Sequence, residues 1–431
     1  MKQFYQILIN SLIANVVTSF LWFALVFWLY LETKSVLVTG VLGGTYMVLV
    51  ALSSMSFGTI VDHHKKKLVM MVSNIISFGA FLLAGIMFLV CGETVLLDVS
   101  GPLLWLFSGV ILAGAVAGNM RNIALSTTVT LLVPAEKRAN ANGLVGTVSG
   151  IGFIVTSVFS GLSIGILGMG WTLGIAIALM AATVLQLILV KIPEKDIVLE
   201  PGVKHKKVDI RGIIAAIVAV PGLFGLLIFS TFNNLIGGVY MALMDPYGLT
   251  IFSVEMWGIV FGIAGTGFVI GGALVAKFGL GKNPIKTLLY AVIVMGAVGA
   301  LFTIREWWWV FVVGIWVYMV IVPIAEAAEQ TIIQRVVPYK KQGRVFGFAQ
   351  AFESAAAPIT AFMVAPITEF LIIPYMNSAE GKGSLGWLLG EGEARGIALV
   401  FLFSGVIMVL AACLAFMTKS YAKLAEHYQK S

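Results

Sequence analysis

Two glutamates stand three residues apart inside an apolar stretch, Val322-Pro-Ile-Ala-Glu326-Ala-Ala-Glu329-Gln330. On a helix that spacing puts Glu326, Glu329 and Gln330 on one face. A carboxyl group in apolar surroundings is costly, so it marks a site that takes up and releases a proton or neutralises a cation. Arg121 and Glu353 are likewise embedded in apolar runs. Glu326, Glu329, Arg121 and Glu353 are therefore the candidates for a proton-coupling charge network. The plainer alternative for each is a side chain that reaches the polar boundary or sits in a static pair. One specific expectation is that Arg121 pairs with a glutamate of the 322–330 stretch in one state, and that protonation of the glutamate releases it.

A second cluster is Gly58-Thr-Ile-Val-Asp62-His-His-Lys-Lys-Lys67, one acid, two histidines and three lysines between two greasy runs. Asp62 suits a helix cap, or a loop acid neutralised by its own lysines. The lysines suit a topology anchor, because cytoplasmic loops of membrane proteins collect Lys and Arg.

These groups need an apolar scaffold to hold them. The chain has 431 residues, 60% of them hydrophobic and only 11% charged, with a mean hydropathy of +1.02. Soluble domains carry about 25% charged residues, whereas a membrane-spanning helix needs about 20 mostly apolar residues. The net charge of +7 is scattered through short loops and forms no basic face, so no nucleic-acid partner is expected. Cys91 and Cys413 sit in apolar runs and read as small buried hydrophobes, not a disulfide. The first apolar run has no small-residue cleavage site and reads as a retained helix.

Apolar runs long enough to cross lie near 6–31, 36–57, 68–91, 102–124, 143–166, 169–190, 213–242, 252–276, 286–304, 307–334, 346–373 and 396–418. Twelve crossings put both termini on one side. With the termini inside, 21 of the 27 Lys and Arg residues fall in inner segments and 4 in outer ones, so both termini are expected in the cytoplasm. Trp307-Trp308-Trp309 opens the tenth span at the outer face, where an aromatic belt belongs. From Trp307, Glu326 lies about 28 Å down a helix, in the inner half of the membrane. The Gly-rich outer loop near 376–395 reads as flexible.

The chain also repeats itself. Leu131-Leu-Val-Pro134-Ala-Glu-Lys-Arg138 closes the fourth span, and Arg335-Val-Val-Pro338-Tyr-Lys-Lys341 closes the tenth. Gly272-Ala-Leu-Val-Ala276-Lys277 echoes Gly58 to Asp62, with alanine in place of the acid. The expected organisation is a six-helix half at 1–191, a cytoplasmic linker at 192–210 and a second six-helix half at 211–431. Such repeats suggest alternating access around a midplane site.

The glycine, the acid four residues on and the basic cluster of GTIVDHHKKK resemble the loop 2–3 signature of the major facilitator superfamily. Gly58, Asp62, Lys66 and Lys67 match it; His63 stands where arginine is usual and Lys65 where a second glycine is usual. ANGLVGTVSGIGFIVTSVFSGL (141–162), FNNLIGGVYMALMDPYGL (232–249) and EAAEQTIIQRVVPYKKQGRVFGFAQ (326–350) look most like the bacterial drug:proton antiporter branch, which includes macrolide and tetracycline exporters. That branch usually carries a Gly-Pro pair in span five, where this chain has Gly152-Phe153. The resemblance implies an all-α integral membrane protein of twelve transmembrane helices in two pseudo-symmetric halves. It implies a cytoplasmic gating motif in which Asp62 faces the positive start of the eleventh span, near Gly343 to Phe346. It also implies a bacterial inner (plasma) membrane location.

A substrate cavity needs apolar and hydrogen-bonding surfaces together. Asn15, Trp22 and Phe23 of span one, Asn119 and Asn122 of span four, and Phe229, Asn233 and Asn234 of span seven are the candidates. Asn233 and Asn234 could equally be helix–helix glue, and any one aromatic could be lipid-facing or core. The chain has no phosphate-loop motif, and its four histidines, two of them adjacent, show no metal-ligand spacing. No enzyme, metal or cofactor is expected, and the protein is expected to be a monomer among membrane lipids. The reading is a secondary transporter, a multidrug efflux antiporter that exchanges amphipathic small molecules for protons and confers antibiotic resistance. The alternatives of the same fold are a lipid or glycolipid flippase and a nutrient or siderophore transporter.

Overall fold

The structure, a computed structural model, describes residues 2–33, 36–192, 194, 210–390, 392 and 394–430. Lys34 and most of the expected linker, 193 and 195–209, lie outside the described residues. Among the described residues the chain is helical, as the bilayer requires: a spanning segment must satisfy its own backbone hydrogen bonds. The long helices are α1 (Lys2–Thr33), α2 (Val36–His63), α3 (Lys66–Cys91), α4 (Pro102–Leu132), α5 (Arg138–Leu162), α6 (Gly168–Leu189), α7 (Leu223–Ile251), α8 (Val254–Phe278), α9 (Pro284–Leu301), α10 (Trp308–Val336), α11 (Tyr339–Ile367) and α12 (Ala394–Met417). A short polar helix, α13 (Lys419–Lys430), ends the chain.

Local chemistry sets several ends. Pro102 and Pro284 open α4 and α9 from the first turn, where the missing N–H costs nothing. Asn283 also caps α9, accepting from the Lys286 backbone at 3.1 Å. Residues 135–189 form a helical run of 55 residues, about 80 Å if straight, against a hydrocarbon core of about 30 Å. The run breaks at Gly168, where φ is +74°. Ser163 Oγ and Thr172 Oγ1 lie 2.6 Å apart, where an unbroken helix would separate them by about 13 Å. α5 and α6 are therefore two crossings, and the long helices among the described residues number twelve.

Three expectations need correction. The seventh span does not begin at 213: a short helix, Ile210–Val218, precedes a break at Pro221-Gly222, and α7 then runs to Ile251. Gly222 sits at φ +82°, a conformation that a side chain disfavours. The outer loop near 376–395 is also ordered where it is described. It holds the helix Ala379–Leu389, capped by Ser378, which accepts from the Gly381 backbone at 3.1 Å. Its C-terminal carbonyls are pinned by two arginines, Arg305 to Trp387 at 2.6 Å and Arg395 to Leu389 at 3.1 Å. Cys413 is exposed and Cys91 half-buried, so neither is the buried residue expected.

Helix packing repeats at an offset of six. α3 packs on α4 and α6, α1 on α6, and α2 on α4; α9 packs on α10 and α12, α7 on α12, and α8 on α10. The chain forms two compact units. One comprises residues 1–135, 151–213 and 337–351; the other comprises 136–150, 214–336 and 352–431. The first thus includes the start of α11, and the second the start of α5.

In the first unit, Trp28 meets Phe107 and Phe88 edge-on. In the second, Tyr247, Phe302, Phe311 and Phe401 interlock. Arg395, 1% exposed, reaches into that core. It donates to the Tyr247 hydroxyl at 2.7 Å and the Thr303 carbonyl at 3.0 Å, and meets Glu306 at 3.2 Å.

Two helix crossings are too close for side chains. In the first unit a Cβ at Gly58 of α2 would strike the Gly343 carbonyl of α11, and one at Gly347 would strike the Ser54 carbonyl. In the second unit a Cβ at Gly272 of α8 would strike Thr147 of α5.

Candidate functional site

The cluster that opens α3 is more closely built than a solvated loop. Asp62 Oδ1 accepts from the Gly343 backbone at 2.6 Å, and Oδ2 from the Arg344 backbone at 2.9 Å and its Nε at 3.0 Å. One carboxylate therefore takes two backbone N–H groups early in α11 and an ion pair, contacts that offset part of the cost of burying its charge. His63 Nδ1 lies 2.7 Å from the Thr59 carbonyl and His64 Nδ1 3.0 Å from that of Ile60, in the last turn of α2. Lys66 is only 3% exposed. Its ammonium donates to the Val61 and His64 carbonyls and lies 5.2 Å from the Tyr339 ring centre. It thus satisfies backbone at the end of α2, a role beyond that of a topology anchor. Lys67 Nζ donates to the Ile188 carbonyl at 3.1 Å. Glu194 accepts from the Lys66 and Lys67 backbones at 2.7 and 2.9 Å, fixing the start of α3. In the second unit the echo of Asp62 is Ala276, whose carbonyl accepts from Asn140 at 2.8 Å. That crossing carries no carboxylate at this position.

Also in the first unit, Arg121 is fully buried. Its guanidinium donates to Asn15 Oδ1, and to Asn74 Oδ1 at 2.8 Å. Asn15 in turn donates to Asn122 at 2.8 Å, and Asn74 to Asn10 at 3.3 Å. Asn10 continues to the Thr183 carbonyl at 2.8 Å and to Gln186. The chain of amides runs through α1, α3, α4 and α6. Within its unit, then, Arg121 is held by neutral asparagines.

The acids gather in the second unit. Glu329 of α10 hydrogen-bonds the Glu353 carboxyl of α11 and the Ser230 hydroxyl of α7. Both glutamates are half-buried, and each keeps one buried oxygen without a partner among the described residues. Glu326, one turn before Glu329, is exposed, and its charge is felt by Glu353. A hydrogen bond between two carboxyl groups needs a proton on one of them. Three carboxyl groups on two helices, with Ser230 of a third, thus share one part of this unit.

The expected cavity residues divide between the units. Trp22 stacks on Tyr46 with ring centres 4.9 Å apart. The Tyr46 hydroxyl bonds Asn119, which also accepts from Gln350 at 3.0 Å. Phe23 is 39% exposed. In the second unit Phe229 is half-buried. Asn234 donates to the Ser230 carbonyl of its own helix at 3.1 Å. Asn233 keeps a buried carbonyl oxygen unpaired among the described residues.

Residues 7–361 match the family model of the Major Facilitator Superfamily. The chain belongs to that superfamily. It is similar to macrolide efflux protein A of Streptococcus pyogenes, at 23% identity over 375 residues, 83% of this chain and 87% of the relative. Among solved structures it is similar to a bacterial homologue of the iron transporter ferroportin in the outward-facing state, with TM-score 0.67, 17% identity, 97% of this chain and 100% of that one. It is also similar to a proton:xylose symporter bound to 6-bromo-6-deoxy-D-glucose, with TM-score 0.67, 12% identity and 96% of both chains. At such identities the solved structures speak for the fold alone. The protein is a multi-pass membrane transporter of the Major Facilitator Superfamily.

Sequence reasoning passed over several residues of this superfamily member. Asn74 and Asn10 hold the Arg121 chain, Ser230 serves Glu329, and Gln350 serves Asn119. Each is a polar residue inside an apolar run, the signal already applied to Asn15 and Asn233. Glu194 carried no such signal, since it lies in a polar connection.

Proposed function

We propose that this transporter exports amphipathic small molecules from a bacterial cell in exchange for protons. It works as a monomer in the plasma membrane with both termini in the cytoplasm. The repeats 1–191 and 211–431, joined by 192–210, present the substrate site to each face in turn. The observation that carries the reading is the Glu329–Glu353 carboxyl pair beside Glu326. A proton entering from outside binds the cluster and quiets its repulsion; its loss to the cytoplasm restores that repulsion and drives the return. Each charge that crosses gains about 2.3 kcal/mol per 100 mV. Asp62 on Gly343 and Arg344 is the inner latch, closed in one state and open in the other. Arg121 belongs with the glutamates to the charge network; Asn15, Asn119, Asn122, Asn233 and Asn234 supply polar contacts to the substrate, and Trp22, Phe23 and Phe229 supply apolar ones.

The name of the Streptococcus pyogenes relative supports export and makes macrolides the first compounds to try. The test uses purified protein in liposomes with an internal pH dye and an imposed pH gradient. Macrolide-triggered proton movement in the wild type, lost in Glu326→Gln and Glu329→Gln, is the expected result. No proton movement with any amphipathic compound would remove proton coupling from the reading.

A further inference from the structure

The C-terminal helix α13 packs against α7, α10 and α12. It has one apolar stripe, Leu424 and Tyr428, 2% and 7% exposed, while Lys419, Lys423, Glu426 and Lys430 face solvent. Twelve residues make a marginal helix in water, so docking is what orders it. Two glycines line its seat: a Cβ at Gly222 would strike the Ser420 carbonyl, and one at Gly225 would come within 2.9 Å of the Ser420 side chain.

Tyr428 lands on a joint between the two repeats. Asn142 of α5 donates to Thr331 and Gln334 of α10 at 2.8 and 2.9 Å, and Gln334 returns a hydrogen bond at 3.2 Å. Arg138, the first residue of α5, donates to the Gln334 carbonyl at 3.0 Å. Arg335, at the end of α10, has its guanidinium 4.7 Å from the Tyr428 ring centre and bonds the phenol hydroxyl. Arg138 feels both Arg335 and Tyr428. The joint thus seats Arg335 on an aromatic face, next in sequence to the Gln334 whose carbonyl Arg138 reaches.

We propose that α13 is a clamp on the inner face: Tyr428 holds Arg138 and Arg335 together and so keeps the inner ends of α5 and α10 joined. α5 belongs to the first repeat and α10 to the second, so alternating access must part them at each cycle, and the clamp sets how readily they part. The inference rests on the alternating-access reading above. It extends the inner gate beyond Asp62 to a part of the chain that carries no membrane span.

Hydrogen–deuterium exchange on the full chain in lipid nanodiscs tests it, because amide exchange reports local opening. Tyr428→Phe keeps the ring; Tyr428→Leu keeps the apolar seat and removes the aromatic face. Tyr428→Leu should speed exchange roughly three- to tenfold in peptides covering 138–146 and 328–336, with α1 and α4 unchanged. Tyr428→Phe should stay near the wild type. A chain truncated after Thr418 should match Tyr428→Leu, and it serves if that variant folds poorly. Unchanged exchange at the joint in both Tyr428→Leu and the truncated chain would overturn the clamp, as would equal acceleration throughout the protein. The measurement needs neither substrate nor proton gradient. Loss of proton coupling would therefore leave it standing, and an unchanged joint would sink the clamp while leaving coupling intact.

Discussion

Asp62 Oδ1 lies 2.6 Å from the backbone nitrogen of Gly343, 281 residues further along the chain. The other oxygen serves the backbone and guanidinium of Arg344. The carboxylate thus spends its acceptors on a helix start that it meets only if α2 and α11 cross at Gly58.

Removing the carboxylate should weaken this contact in proportion to the donors left unpaired. Asp62→Ala removes the Arg344 ion pair and the charge-assisted hydrogen bonds to two backbone N–H groups, a loss of ~1–3 kcal/mol in all. Asp62→Asn keeps one good acceptor and should lose about half as much. Thermal unfolding in detergent should rank them wild type, Asn, Ala. An Asp62→Ala protein as stable as the wild type would mean that the contact contributes nothing in this state.

The crossing itself can be tested apart from the charge. Gly58→Val places two methyl groups where the Gly343 carbonyl lies, an overpacking cost of ~1–3 kcal/mol or more. Gly79→Val on α3 meets nothing within 4 Å and is the control. Transport in the assay proposed above should fall at least tenfold in the first and stay within twofold in the second, at matched protein amount.

The acid pair makes a prediction about which half of the cycle fails. In Glu329→Gln or Glu353→Gln an amide replaces one carboxyl group, so the mutual hydrogen bond survives while one of the two groups proposed to carry the coupling proton is gone. Gradient-driven transport should be lost, whereas substrate counterflow without net proton movement should persist within a few-fold. Loss of both would place the pair in substrate binding.

Arg121 should separate stability from activity. A buried cation held by neutral amides gains little from burial, so Arg121→Met, similar in volume, should leave the unfolding midpoint unchanged or raise it. Asn74→Leu leaves the cation with one fewer acceptor and should destabilise by ~1–3 kcal/mol. Transport should be lost in Arg121→Met. A marked fall in its midpoint would make the residue structural.

The twelve helices were legible because a bilayer demands about 20 apolar residues for each crossing, and the chain supplies them with little else between. The break at Pro221-Gly222 was hidden inside a run that stays apolar on both sides. Asp62 was legible from its local motif. The buried roles of Lys66 and Arg395 were not, because each depends on partners far away in sequence: Tyr339 for the first, Thr303 and Tyr247 for the second. The pair Glu329–Glu353 joins two helices, and no spacing rule within one helix can predict it. Arg121 stands out as a charge inside an apolar run, whereas its asparagine partners, scattered over α1 and α3, leave no joint pattern.

The composition of the two compact units bears on how the chain is made. The first unit includes residues 337–351, which follow the rest of it by more than a hundred residues. At roughly 5–20 residues per second, the ribosome takes about 7–30 s to travel from Ile213 to Ala351. Through that interval the carboxylate of Asp62 has been synthesised and its acceptor-seeking N–H groups on Gly343 and Arg344 have not. The nascent first unit must wait in the membrane with its Gly58 groove unfilled. A host with slower translation or a crowded insertion machinery lengthens that wait, so recombinant yield should respond to elongation rate across residues 214–336 more than to codon choice in the first unit.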